Sequence, residues 1–307
     1  MDALDILVWN MQNLFVFMDK YKGNGDDLTS MLEPQWQLLS TSLLQNKPIH
    51  HVRAAADLIK SVNPHVILMT EVGGRESLEN FSKYFLNNEY EVYHEASNSD
   101  RGIDTGCLVK RKIPYPVRFK VHRHSVFARG VDELTLDCGE ESLVFLLTHL
   151  KSKLNKFGKD FEGRGQRAKE VEKLLYLHAK ACNKHQTKNV FICGDLNGII
   201  YKQDSEQELA RFSKYGIEDV LEILDRDLFD RYTYAYFDRT SGKRHCMQLD
   251  YMLTSPNNKS TISSESSVLD FEGNIRTQLA ADIKEKWLYP SDHYPLFCRL
   301  TTFKPKS

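Results

Sequence analysis

Apolar residues in this chain fall in short unbroken runs that polar or acidic residues cut off. Residues 4–10, 65–70, 190–193 and 249–253 are such runs, and their length and β-branched content predict strands buried on both faces. Further short strands are predicted at 91–94, 105–109, 117–121, 131–136, 143–147 and 294–300. Helical spacing appears in three places. Ala55, Leu58, Ile59 and Val62 mark a helix over 49–62 that stops before Asn63-Pro64. Leu78, Phe81 and Phe85 mark another over 76–86, and Val171, Leu174, Leu175, Leu177 and Ala181 a long one over 167–183. The polar stretch 19–34 reads as a loop, and the Ser/Asn-rich stretch 257–267 as a surface insertion. No repeat or linker interrupts the pattern, so one α/β domain over 1–307 is expected.

Composition narrows the class. Of 307 residues, 41% are hydrophobic and 27% charged, which excludes a disordered chain. No apolar run reaches 18 residues, so no membrane-spanning helix is expected. The first fifteen residues lack a basic region, and the six cysteines form no C-x-x-C pair. Both features predict a reduced, cytoplasmic protein without a zinc or disulfide framework.

The net charge of −1 hides an uneven distribution. Residues 110–124 hold six Lys and Arg and no acid, and 151–169 hold seven against Asp160 and Glu162. Ordinary solvated faces account for charge runs in most proteins. Two such segments flanking His149 also fit a groove for a polyanion.

Polar residues that end the apolar runs carry the chemistry. Leu7-Val8-Trp9 ends in Asn10, and Val66 to Thr70 ends in Glu71. Phe145 to Thr148 ends in His149, and Val190 to Gly194 ends in Asp195, with Asn197 two residues on. Gln248-Leu249 leads into Asp250-Tyr251, and Ser291-Asp292-His293 precedes the last strand. Each alone reads as a turn former or a satisfied buried polar group. Together, at one edge of a sheet pair, they form a carboxylate, amide and imidazole set suited to a Mg²⁺-type cation and acid–base work. No Gly-rich phosphate loop or nucleophilic triad competes with it.

The ordered motifs W-N-x-x-N-L (9–14), T-E (70–71), T-H-L-K-S-K (148–153), G-D-L-N (194–197), L-D-Y (249–251) and S-D-H (291–293) resemble the endonuclease/exonuclease/phosphatase superfamily. The segment R-G-I-D (101–104), with T-H-L-K-S-K and Arg164/Arg167, is similar to its bacterial and phage nuclease-type members. The resemblance implies a four-layer α/β/β/α sandwich of two packed, mostly antiparallel sheets flanked by helices. It implies Glu71 as principal Mg²⁺ ligand, with Mn²⁺ as a substitute and Asn10 and Asp292 in support. Asp195 would polarise the attacking water, Asn197 would hold the phosphate, and His149 would donate to a phosphate or leaving oxygen. His293 would pair with Asp250, and either Asp195 or this pair could be the general base. Glu95 is expected to orient His149. Arg101, Lys151, Lys153, Arg164 and Arg167 are expected to contact substrate phosphates, and Tyr232 and Tyr234 to be core or rim aromatics. Thr70-Glu71-Val72 lacks the Q-E-x-K context of abasic-site endonucleases, so that activity is not expected.

The leading reading is a Mg²⁺-dependent DNA endonuclease of low sequence specificity, with no membrane and no obligate protein partner. The alternative is a phosphatase or phosphodiesterase acting on a small-molecule or lipid-linked phosphate. Salt separates the two, because only the polyanion reading predicts binding that weakens steeply with ionic strength.

Overall fold

The computed structural model describes residues 3–96, 102–139, 141–153, 160–201, 206–238 and 240–301. The strands run β1 (Ala3–Leu14), β2 (Val66–Val72), β3 (Tyr90–Tyr93), β4 (Asp104–Lys110), β5 (Val117–His122), β6 (Val131–Asp137), β7 (Ser142–His149) and β8 (Val190–Asp195). They continue as β9 (Glu218–Asp219), β10 (Tyr234–Phe237), β11 (Arg244–Met247), β12 (Asp250–Thr254), β13 (Ser267–Val268) and β14 (Leu296–Thr301). The helices used below are α1 (Glu33–Gln37), α2 (Ile49–Val62), α3 (Gly74–Asn80) and α4 (Arg164–His185).

Two six-stranded sheets form, ordered β13-β14-β1-β2-β4-β3 and β5-β6-β7-β8-β12-β9, with β10-β11 as a separate hairpin. Each sheet is antiparallel except for one central parallel pair, β1/β2 in the first and β7/β8 in the second. A parallel pair needs a crossover, and here α2 and α4 supply it. Alternate residues of each strand then feed different cores. Leu7, Trp9, Ile67 and Met69 pack outward with Val52, Ala55, Leu58 and Ile59 of α2. Ile6, Val8, Val66 and Leu68 meet Phe145, Leu147, Phe191 and Cys193 between the sheets. Val144, Leu146, Val190 and Ile192 pack outward with Val171, Leu174 and Leu177 of α4. Three apolar cores thus separate four layers, the expected α/β/β/α sandwich. Burial of both faces explains why the strands read as continuous apolar runs.

Local departures have physical reasons. The predicted helix over 76–86 divides into α3 and a widened π-type turn, Phe81–Phe85. That turn stacks Phe81 near Phe85 and sets the Phe85 ring edge-on to Trp36 of α1. The 257–267 stretch is structural rather than an insertion, since Ile262 bridges to Leu300 and the following β13 pairs with β14. The β10-β11 hairpin was not anticipated, although Asp238 and Ser241-Gly242 between its strands are turn formers.

The basic segment 110–124 is divided by the fold. His122 pairs with Val131, which pairs with Thr148, so His122 and Arg123 lie at the end of the sandwich that carries His149. Val117 pairs with Leu136, and Val109 with Val66, placing Lys110 and Arg118 toward the other end. Part of the segment also neutralises one buried acid. Glu133 meets His122 Nε2 at 2.7 Å, Lys184 at 3.1 Å, His185 at 3.4 Å and Lys120 at 3.9 Å. The hydrogen bond from His122 leads in lowering the Glu133 pKa well below the ordinary carboxylate range, against burial. A depressed carboxyl stabilises the fold above its unfolded pKa, and the contribution is lost as pH falls toward the folded value. Glu133→Gln should therefore cost about 1.5–3 kcal/mol at pH 7, a gap that starts to narrow below about pH 4, where the unfolded carboxyl protonates. Paired thermal melts across pH 3–7 check this; a gap independent of pH would contradict it.

Candidate active site

The register of the two sheets brings the strand ends together. β1 and β2 run parallel to Asn10 and Thr70, with Glu71 next. In the other sheet Asp195 lies beside His149 on one side and Asp250 on the other. His293 bridges to Tyr234 and just precedes β14, whose Leu296 pairs with Val8. Parity places Asn10, His149, Asp195 and Asp250 on the inner faces, in line with Val8, Leu147, Cys193 and Met252.

Parity alone would send Glu71 the other way, toward α2 with Ile67 and Met69. A bulge corrects it. Pairing shifts between Thr70 and Val72, Glu71 takes a left-handed φ of 58°, and Val72 occupies the outward position instead. The extra residue re-aims the carboxylate to the inner side, at a strained backbone position that L-residues seldom adopt. Gln12, Asn13 and Asn197 are also left-handed, at 46°, 59° and 51°. Gly194 (φ 120°) is required for another reason: a Cβ there would stand 2.0 Å from the Thr148 carbonyl oxygen.

The resulting contacts cross from sheet to sheet. Asn10 Nδ2 donates to Asp195 Oδ2 at 3.0 Å, while Asn10 Oδ1 accepts from the Gln12 amide. Asp195 Oδ1 accepts from the Asn197 amide at 2.8 Å. His149 Nε2 lies 3.5 Å from Asp195 Oδ2 and 4.0 Å from Glu71 Oε1. His293 Nδ1 meets Asp250 Oδ2 at 2.7 Å. Trp9 Nε1 donates to the His293 carbonyl, and Ser291 Oγ to the Asn10 carbonyl. Asn197 Nδ2 donates to the Leu150 carbonyl, and the Asp292 amide donates to Gln12 Oε1.

Burial and charge set the protonation states. Burial pushes the Asp195 carboxyl upward; neighbouring His293 opposes this and Asp250 adds to it. Burial works against a charged His293, yet Asp250, Asp292 and Asp195 outweigh it and raise the imidazole to about 10. One acid is thus held close to titration while a neighbouring imidazole stays protonated, an arrangement that separates a base from an acid.

The remaining expected residues divide. Asp292 lies at the rim, 3.6 Å from Lys286 Nζ. Glu95 has a half-exposed carboxylate that accepts from Arg123 at 2.8 Å, whereas His149 is buried. Arg167 is 0% exposed and donates to Glu206, Glu208 and the carbonyls of Lys151 and Glu162. It anchors α4 rather than meeting substrate, because its buried guanidinium is spent on the buried Glu208 and the part-buried Glu206. Lys153 pairs with Glu206 at 2.5 Å, and Arg164 with Glu162 at 2.9 Å. Lys151 donates its amide to Glu170, and Arg101 lies outside the described residues.

Three residues were missed as site members. Lys47 donates to the Met11 and Gln12 carbonyls and so fixes the bulge after Asn10. Lys286 donates to the Ala235 carbonyl and sits 3.9 Å over the Tyr234 ring. Tyr234, anticipated only as an aromatic, lies 4.8 Å from the His293 ring. None of the three adjoins a strand-end motif, the only signal available in sequence.

The model of the Endonuclease/Exonuclease/phosphatase family matches residues 7–293. The chain belongs to this family. No curated protein sequence matches it. Among solved structures it is similar to Danio rerio TDP2 in complex with a single-strand DNA product, at 17% identity and TM-score 0.59 over 98% of this chain and 99% of that one. The human Nocturnin catalytic domain with bound sulfate gives 17% and 0.59 over 98% and 96%. A Bacteroides thetaiotaomicron mannosyl-6-phosphatase gives 14% and 0.58 over 97% and 100%. These likenesses show the family fold, and family membership makes the chain a phosphoester hydrolase.

Family enzymes depend on a divalent metal, and the donor set fits one. Ligand atoms of Asp195, Asp250 and His293 lie within 4.8 Å of one another, but a protonated His293 offers no lone pair, so the oxygens are the donors. Glu71 and Asp292 add hard oxygen donors, the type a Mg²⁺-class cation prefers. Asp250 Oδ1 is buried with no hydrogen-bond partner among the described residues.

Asp250→Asn removes the charge that outweighs burial at His293. The imidazole pKa should fall by about 1–3 units, read by NMR titration of the metal-free protein. An unchanged value would contradict the assigned pairing.

Proposed function

We propose that this chain is a single-domain, Mg²⁺-dependent phosphodiesterase that hydrolyses nucleic acid, as a DNA endonuclease of low sequence specificity acting in the cytoplasm. The observation that carries the reading is the Asp250–His293 pair beside the buried Asp195, with Glu71 and His149 within 4.0 Å of one another alongside.

In-line attack on a phosphodiester adds negative charge to the phosphoryl oxygens. A protonated His293, held in orientation by Asp250, donates to one of them and stabilises the transition state more than the ground state. Asp195, raised by burial, accepts the proton of the attacking water; its Oδ1 is fixed by the Asn197 amide and its Oδ2 by Asn10. Asn197 positions the phosphate, and His149 donates to a phosphate or leaving oxygen. Glu71, Asn10 and Asp292 would hold the cation. When bound, that cation supplies Lewis-acid neutralisation of phosphoryl charge. Lys151 and Lys153 remain the basic residues nearest His149 in sequence, and the TDP2 likeness lends support to a DNA substrate.

Circular single-stranded DNA and supercoiled plasmid test the reading, because neither has an end. Cutting is expected with Mg²⁺ or Mn²⁺ and none with EDTA. His293→Ala should remain folded and lose about 10²–10³ in rate. Wild-type cutting by that folded variant would contradict the mechanism. Intact circles together with phosphate release from sugar phosphates would move the chain to the small-molecule reading, which the mannosyl-6-phosphatase likeness favours.

A further inference from the structure

A groove of about 800 Å³ opens beside the catalytic edge and shares Gln12 and Asp292 with it. Phe15, Pro48 and Trp287 form apolar wall, and Asn13 and Gln45 add amides beside Gln12. Trp287 is 72% exposed, unlike Trp9 and Trp36, which are fully buried. An exposed indole at the mouth of a cavity is costly to leave in water and offers a flat π-face.

We infer that this groove is a subsite for the nucleobase adjoining the scissile phosphate, stacked on Trp287 and met at its edge by Gln12 Nε2 and the Asn13 and Gln45 amides. The inference rests on the nucleic-acid reading and names the part of the substrate the groove takes.

The wall chemistry selects this occupant over two others. A second phosphate needs free cations, but both lysines lining the groove are committed. Lys47 donates to the Met11 and Gln12 carbonyls, and Lys286 to the Ala235 carbonyl. An acyl chain would bury the amides of Gln12, Asn13 and Gln45 without replacing their hydrogen bonds with water. A planar heterocycle satisfies both walls, since it stacks through its face and bonds through its edge. Stacking is tolerant of base identity, which agrees with low sequence specificity. It also requires a base free of its duplex partner, so the subsite favours single-stranded or frayed DNA.

Trp287 is its own reporter. In EDTA, where no turnover occurs, thymidine 5′-monophosphate should quench the exposed indole saturably, and 2-deoxyribose 5-phosphate should not. Trp287→Phe should remove the quenched component, which confirms its origin. With metal, Trp287→Ala should lower the ratio of kcat/KM for thymidine 5′-(p-nitrophenyl phosphate) over methyl p-nitrophenyl phosphate by about 5–100-fold. Trp287 is surface-exposed, so folding is not at risk in either variant. Absent quenching, or equal quenching by the sugar phosphate, overturns the subsite even if both esters are hydrolysed. Saturable quenching without hydrolysis of either ester upholds the subsite and overturns the hydrolase reading instead. A blue shift with phosphatidylcholine vesicles and no response to nucleotide would assign the groove to a lipid surface and overturn the inference.

Discussion

One buried carboxylate joins the two sheets at the catalytic edge. Asp195 is registered against His149 and Asp250 within its own sheet, and it accepts a hydrogen bond from Asn10 of the other. Beside it the His293–Asp250 pair makes a second polar link across the same seam. Away from this edge the sheets meet through an apolar core, so the charged groups gathered here stand in low-dielectric surroundings. Burial then does chemical work: it lifts an acid toward neutrality and strengthens the pull of Asp250 on His293.

That concentration of charge demands backbone exceptions. Gly194 lets β8 pass the Thr148 carbonyl, and the bulge at Glu71 turns a carboxylate away from the helix-facing core. Lys47 ties down the Met11 and left-handed Gln12 carbonyls, and Gln12 Oε1 in turn accepts from the Asp292 amide. Residues remote in sequence therefore hold one short stretch of chain, and Asn10, His149, Asp195 and Asp250 sit on packed strands that position them.

Much of this was legible from the pattern of residues. Runs buried on both faces read as strands, and the polar residue closing each run read as a site candidate. For Asn10, His149, Asp195 and Asp250 the strand's two-residue period also gives the correct face. Glu71 obeyed its motif but not its parity, because a bulge has no clear mark in Thr70-Glu71-Val72. Arg167 and Glu95 show the other limit. A charge run records how many cations a segment carries, not which are consumed by acids such as the part-buried Glu206 and the buried Glu208. Lys47, Lys286 and Trp287 matter only through packing that joins α2, the β10 hairpin and the segment before β14, which no local spacing encodes.

The central claim is that the acids gathered at this seam are built around a divalent cation, with Glu71 as its principal ligand. Thermal unfolding with added Mg²⁺ or Mn²⁺ and no substrate tests it most directly. Binding to the folded state alone stabilises by about 2.7 kcal/mol at a hundredfold excess over Kd. The wild-type chain should therefore melt at a higher temperature with metal, and folded Glu71→Gln should lose most of that gain. A gain of equal size in Glu71→Gln, or none in the wild type, would contradict the account.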